Sequence, residues 1–187
     1  MLTDDELRVV LTAPGDVALL CRVTLISLHR ISEVLGLRRE HLGPSWMEVR
    51  RKGGRVHRIA IPEELRVSLL DRCAKSGYIF GEGPEGAPPR QQTASNRVIR
   101  TLANLGLSGV THHTMRHTGV TMMLEDGINP RVIQLLAGWT SLRMLERYGH
   151  TRDSEVRRAV TSNAQRLQQA ATKTATVERK QYTKSDS

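Results

Sequence analysis

One short interruption of helical periodicity constrains this chain more than any other feature. Trp46-Met47-Glu48-Val49-Arg50 and Val56-His57-Arg58-Ile59-Ala60-Ile61 alternate apolar and polar residues, and Gly53-Gly54 lies between them. Strand-like alternation on either side of paired glycines is a hairpin signature, because tight hairpin turns need positive φ. Almost everywhere else the apolar residues recur at helical spacing. Thr3, with Glu6 three residues on, forms a capping box that opens a helix to about Leu11. Asp16 opens a second, mostly apolar helix to about Leu28, and Arg30 to Leu35 reads as a further turn closing near Gly36.

After the hairpin, Pro62-Glu63-Glu64 restarts a helix to about Cys73. Gly77-Tyr78-Ile79-Phe80 is expected to add a short strand, and the Gly- and Pro-rich residues 81–90 a loop. Helices are expected at 92–105, 114–126, 130–137, 141–147 and 153–170, with Asp126-Gly127-Ile128-Asn129-Pro130 as a break. The polar stretch 171–187 has almost no large apolar residue and is expected to be a disordered tail. The reading is one α+β domain over residues 1–170, mostly α-helical, with a small antiparallel β-sheet of about three strands.

Composition narrows the function classes. A chain of 187 residues holds one well-buried domain and little more. Lys and Arg outnumber Asp and Glu by 28 to 19, a formal charge of +9 that favours a polyanionic partner, nucleic acid first. Aromatic residues are only 3%, so the core must be aliphatic and a base-stacking platform is disfavoured. Two cysteines make no disulfide framework, and Cys21, inside an apolar run, reads as a core thiol. The acidic N-terminus lacks the pattern of a signal peptide, and no apolar run reaches the ~18 residues of a membrane span. A cytoplasmic protein with no membrane contact is expected.

The chemistry-bearing residues fall in four segments. They are His29-Arg30-Ile31-Ser32-Glu33, Arg51-Lys52-Gly53-Gly54, His113-Thr114-Met115-Arg116-His117, and Gly138-Trp139 followed by Tyr148. Each alone is weak: a lone Arg is usually a solvated charge, and a Lys beside two glycines an exposed turn. His113 and His117 stand at i and i+4 but have no acidic residue between them as a zinc-protease helix would, so no metal and no cofactor are expected. His112 reads as a neighbour of His113 that contacts backbone or phosphate, and His117 and His150 as structural hydrogen-bonders. Tyr78 and Tyr182 lack any surrounding motif.

Taken together and in this order, the segments resemble the tyrosine recombinase (phage integrase) family, whose pattern is Arg, hairpin Lys, His-x-x-Arg, His or Trp, then Tyr. Leu28 to Glu33 resembles its first Arg box, and Val120 to Trp139 its most recognisable stretch. The resemblance implies a site-specific DNA recombinase with Arg30, Lys52, His113, Arg116, Trp139 and Tyr148 as catalytic residues. Tyr148 would form a covalent 3′-phosphotyrosine. Two guanidiniums suit the non-bridging oxygens of a phosphodiester, which gather charge in displacement. Tyrosine, with a pKa near ~10, needs a base or a positive field, and His113 suits that proton traffic. Lys52 would protonate the 5′-hydroxyl leaving group. Trp139 stands where most relatives carry His and offers an indole N–H without proton shuttling. Glu33 is expected to orient an Arg or Lys.

Arg50, Arg51, Arg55, Arg58, Arg97 and Arg143 are the principal phosphate-contact candidates, with Arg100 and Arg147 beside them. The implied partner is double-stranded DNA, bound by a homotetramer that is a monomer when free, in a bacterial or phage setting. Members of that family usually carry an N-terminal DNA-clamping domain; this chain is expected to lack it, as an excised fragment or a naturally short member, and so to bind DNA more weakly and less specifically when alone. One rival reading is a non-catalytic regulator using residues 114–137 as a helix-turn-helix. Another is a type IB topoisomerase or telomere resolvase with the same nucleophilic chemistry.

Overall fold

The chain enters its first helix, α1 (Asp4–Leu11), through the capping box at Thr3. The Thr3 hydroxyl accepts from the Glu6 amide at 3.3 Å, and the Glu6 carboxylate accepts from the Thr3 amide at 2.8 Å. The computed structural model describes residues 1–51, 53–73, 76–82, 86–141, 143–146, 161 and 165. It divides into two compact units, Met1–Leu145 and Glu146–Ser187. In the second, Thr161 and Gln165, inside the helix expected at 153–170, are helical; the rest of that stretch and the tail lie outside the described residues.

The central element is α2 (Asp16–Ser27), which buries Val17, Leu20, Cys21, Val23, Thr24 and Ser27. A helix buried on several sides must be apolar on several sides, which explains its weak amphipathic stripe. Burial pushes the Cys21 thiol up to about 12, as for a packed core thiol. α2 stops at Leu28, whose φ of 56° is the only positive φ at a non-glycine among the described residues. A left-handed Leu costs roughly 1–2 kcal/mol. Leu28 is fully buried, which returns roughly 1.5–3 kcal/mol, so packing holds the turn against local preference.

The turn leads into α3 (Ile31–Leu35), a 3-10 turn at Arg39–His41, and the hairpin strands β1 (Trp46–Arg50) and β2 (Val56–Ala60). The strands pair antiparallel from Trp46↔Ala60 to Arg50↔Val56. Met47, Val49 and Ile59 face the core. Gly53 and Gly54 take φ of 85° and 76° at the tip. The strand expected at Gly77–Phe80 is reduced to a bridge between Tyr78 and Arg38, flanked by backbone bonds from Ile79 N to Leu37 O and from Arg39 N to Gly77 O. The 3-10 turn starts at the next residue, leaving too little extended chain for a ladder, so the described sheet is two-stranded.

Helices α4 (Glu63–Arg72), α5 (Gln91–Asn104), α6 (His112–Glu125), α7 (Pro130–Ala137) and α8 (Arg143–Glu146) complete the order. α5 packs Ala94, Val98 and Leu102, four residues apart, against the core. α6 begins two residues before the expected start, because the Thr111 hydroxyl caps it by accepting from the Thr114 amide. Asn129 caps α7 with Pro130 at its first position, and Gly138 ends it at φ 67°. Among the described residues the buried core cluster is aliphatic or sulfur-containing except for Phe80. No described helix is long and apolar enough to cross a membrane.

Helices α2 and α6 pack tightly against each other at Gly119. A Cβ there would lie 2.4 Å from the Leu25 carbonyl oxygen and 2.8 Å from Leu28 Cδ2. Gly119→Ala should therefore destabilise by roughly 1–3 kcal/mol through overpacking, even though Ala is the better helix former by about 1 kcal/mol. A thermal melt should drop by several degrees; an unchanged or raised midpoint would show that the seam has slack.

Candidate active site

The left-handed stop at Leu28 and the extended backbone of Arg30 set Arg30 as the N-cap of α3. Glu33, one turn on, reaches back with its carboxylate. It accepts from the Arg30 amide at 2.9 Å and from the Arg30 guanidinium at 3.4 Å. Burial separates the two tasks: Glu33 is 6% exposed, whereas the Arg30 side chain is 54% exposed. A buried carboxylate thus tethers a guanidinium that still faces outward.

Arg116 comes from the middle of α6 and is buried despite its charge. Its Nη2 donates to the Ala137 carbonyl at 2.7 Å, at the C-terminus of α7. Its guanidinium carbon lies 5.4 Å from the centre of the Trp139 ring. Trp139 is held at backbone level from both sides: its amide donates to the Gln134 carbonyl at 3.0 Å, and its carbonyl accepts from the buried Gln134 amide side chain at 3.1 Å. The turn between α7 and Trp139 passes through Gly138, where the left-handed φ suits glycine.

Arg51 reaches the same helix end from the hairpin. Its guanidinium donates to the carbonyls of Leu135 at 3.3 Å and Leu136 at 2.6 Å, and its Nη2 lies 2.5 Å from His57 Nδ1. His57 Nδ1 is also 3.4 Å from Nε2 of His29, which is buried. Arg30 and Glu33 both act on the Arg51 charge, while Arg116 acts on His29, so the three arginines share one neighbourhood. Burial first, then Arg51, His57 and Arg116, push His29 down to about 3. His57 is lowered for the same first two reasons. Nothing in the sequence spacing separates Arg51 from Arg50 or Arg55; the difference is tertiary.

His113 is exposed on the first turn of α6, and its Nε2 lies 2.7 Å from Nε2 of His117. His112, read from sequence as a backbone or phosphate neighbour, is instead buried, with its ring nitrogen on the Thr24 hydroxyl of α2. Burial, with Arg116 and His113 nearby, pushes it down to about 3. Among the arginines assigned to phosphate, Arg50, Arg55 and Arg143 are exposed. Arg58 pairs with Glu48 at 2.6 Å and lies over the Trp46 ring at 4.1 Å, and Arg97 pairs with Glu82. Lys52, Arg147, Tyr148, His150 and Tyr182 lie outside the described residues. Four of the six catalytic candidates therefore have a described setting: Arg30, His113, Arg116 and Trp139.

The profile of the Phage integrase family matches residues 2–155. The chain is similar to tyrosine recombinase XerA of Pyrococcus furiosus, 29% identical over 173 residues, covering 85% of this chain and 60% of the relative. It is 31% identical over 137 residues to a tyrosine recombinase of Pseudothermotoga lettingae, covering 67% of this chain and 46% of that protein. The crystal structure of XerA recombinase superposes with a TM-score of 0.70 at 22% identity, covering 87% of this chain and 62% of that one. XerH site-specific recombinase bound to difH substrate, in a pre-cleavage complex, gives 0.67 at 20% identity, with coverages of 85% and 53%. The fold is thus shared, and the chain spans about half to three fifths of these relatives.

The buried histidines make stability acid-sensitive. Unfolded, each titrates near its ordinary 6.5; folded, His29 and His112 stay neutral down to about 3. Their full contribution is present above pH 6.5 and is lost as pH falls from there toward 3, because the unfolded chain binds more protons in that window. At about pH 5 the loss is about 2 kcal/mol for each histidine. Urea midpoints should fall accordingly, and His29→Met should flatten the slope by about half. An unaltered slope in that variant would rule His29 out as a source.

Proposed function

The chain belongs to the phage integrase family, and from that premise we propose that it cuts and rejoins double-stranded DNA at specific sites through a covalent 3′-phosphotyrosine on Tyr148. The observation that carries this reading is the setting of Arg30 and Arg116, one tethered by a buried carboxylate and the other seated under Trp139 at the end of α7.

The Tyr148 oxygen attacks the phosphorus and the bond to the 5′-oxygen breaks. Arg30 and Arg116 draw the charge that gathers on the non-bridging oxygens, an electrostatic task that preorganised donors perform best. His113, exposed at the N-terminal turn of α6, handles the phenol proton. Lys52 supplies the proton that the departing 5′-oxygen needs, and the Trp139 indole N–H donates to a phosphate oxygen. Attack of a 5′-hydroxyl from a second duplex on the phosphotyrosine reverses these transfers and joins the exchanged strands. Bond energy is kept in the protein–DNA link, so the sequence needs no nucleotide hydrolysis.

Phosphate contacts along the duplex fall to Arg50, Arg55, Arg58, Arg97 and Arg143, whose charges are exposed or paired only at the surface. Arg51 is left out of this set because helix-end carbonyls already hold its guanidinium. The XerH structure on its difH substrate and a lambda integrase dimer on a COC′ core site support a DNA partner. The reading extends to a homotetramer on DNA, assembled from free monomers in the cytoplasm.

The test uses nicked duplexes that trap a covalent adduct, drawn from the DNA flanking this chain's own gene and from a random pool. The parent should accumulate adduct and Tyr148→Phe none. Arg30→Ala and Arg116→Ala should each slow adduct formation on the order of 10²–10³-fold. Equal adduct from the parent and Tyr148→Phe would overturn the nucleophile assignment. Specific DNA binding without any adduct would favour a binding-only regulator.

A further inference from the structure

The end of α7 is held by two arginines from different parts of the chain. Arg116 takes the Ala137 carbonyl, and Arg51 takes those of Leu135 and Leu136. A helix leaves its last carbonyls without intrahelical partners, and cations there also meet the negative end of its dipole. We propose that Arg51 is a positioning residue for the reaction proposed above: its guanidinium fastens the turn end of the β1–β2 hairpin to the end of α7, and so fixes where Trp139 stands over Arg116. The role in cleavage rests on that reading of function; the clamp itself does not.

The seat is built for a guanidinium. A Cβ at Gly138 would lie 2.7 Å from Arg51 Nη1 and 2.8 Å from its central carbon, so glycine lets the guanidinium rest against this turn without shifting. The same glycine supplies the left-handed turn that brings Trp139 back toward Arg116. From the other side, Arg51 Nη2 can only donate, so His57 Nδ1 must accept and His57 must be neutral with its proton on Nε2. His29 Nε2 lies 3.4 Å from that same Nδ1. Glu33 and Arg30 face the clamp from α3 and its cap, and Arg116 faces His29 from α6. Arg51 Nε is buried and has no hydrogen-bond partner among the described residues. A residue reaching for a phosphate at the surface would present that edge to solvent, whereas here it is closed in.

Position 51 therefore couples two segments that the reaction requires together. Lys52 follows it directly in sequence, and Trp139 follows the helix end that it holds. Lys at this position could reach one carbonyl but not fork between two while facing His57.

The decisive comparison is between the parent, Arg51→Ala and Arg51→Lys, each as the full chain, on the same nicked duplexes. Three quantities are read: DNA affinity with its salt dependence, the single-turnover cleavage rate at saturating DNA, and amide hydrogen exchange over residues 135–141 without DNA. Both variants should bind within about twofold of the parent with an unchanged salt slope, because no phosphate contact is lost. Their saturated cleavage rate should fall roughly 10²-fold, the scale of a small misplacement of reacting groups. Exchange over 135–141 should quicken by roughly tenfold while circular dichroism and melting show a folded chain. A salt slope lower by about 1 with a normal saturated rate would make Arg51 a phosphate contact and overturn the proposal. Unchanged exchange would overturn the clamp. If the parent itself forms no adduct on any duplex, the recombinase reading fails and the role in cleavage with it, while exchange still decides whether Arg51 holds the helix end.

Discussion

The approach of α2 and α6 at Gly119 is the constraint on which the candidate site depends, because Arg30, His113 and Arg116 all stand near that seam. α2 ends at Leu28, packed into the seam, and two residues later the chain presents Arg30. α6 carries His112 into a hydrogen bond with Thr24 of α2, one residue before His113 and four before Arg116. The relative placement of the two arginines is thus a packing property of aliphatic side chains and one glycine. A helix pair this close cannot adjust gradually, since interiors are packed as densely as organic crystals.

The charge balance around the site is lopsided. Arg30, Arg51 and Arg116 stand near His29, His57 and His112, and Glu33 is the carboxylate that acts among them. Burial and this excess of positive charge keep the histidines neutral. Neutral histidines can then accept or donate in fixed directions, which is how a cationic cluster stays ordered. Positive charges gathered in this way repel one another, a cost in stability that the packing around them offsets.

Much of this was legible in the sequence where the signal is local. The Thr3 capping box, the Asn129–Pro130 start of α7 and the paired glycines of the hairpin are decided by neighbours within four residues, and the structure reproduces them. The family resemblance named Arg30, His113, Arg116 and Trp139 by order along the chain, and Arg30, Arg116 and Trp139 occupy connected positions through Glu33, Arg51 and α7. What local sequence does not specify is tertiary. Arg51 looks like any other arginine in a basic run until α7 is folded against the hairpin. His112 looks like a twin of His113, yet adjacent helix positions point about 100° apart and only one of them meets α2. The strand at Tyr78 has strand composition but no partner of sufficient length, because Arg38 leads at once into a 3-10 turn.

The stop of α2 has a consequence for how the chain can vary in length. Leu28 ends the helix and fills the core with the same side chain, so the end of the helix is registered to the interior one residue at a time. Inserting or deleting a single residue between Asp16 and Ser27 would either pull Leu28 out of the seam or swing Arg30 by about 100° about the helix axis. A change in length is therefore better accommodated in the connections than within the segment from α2 to α3.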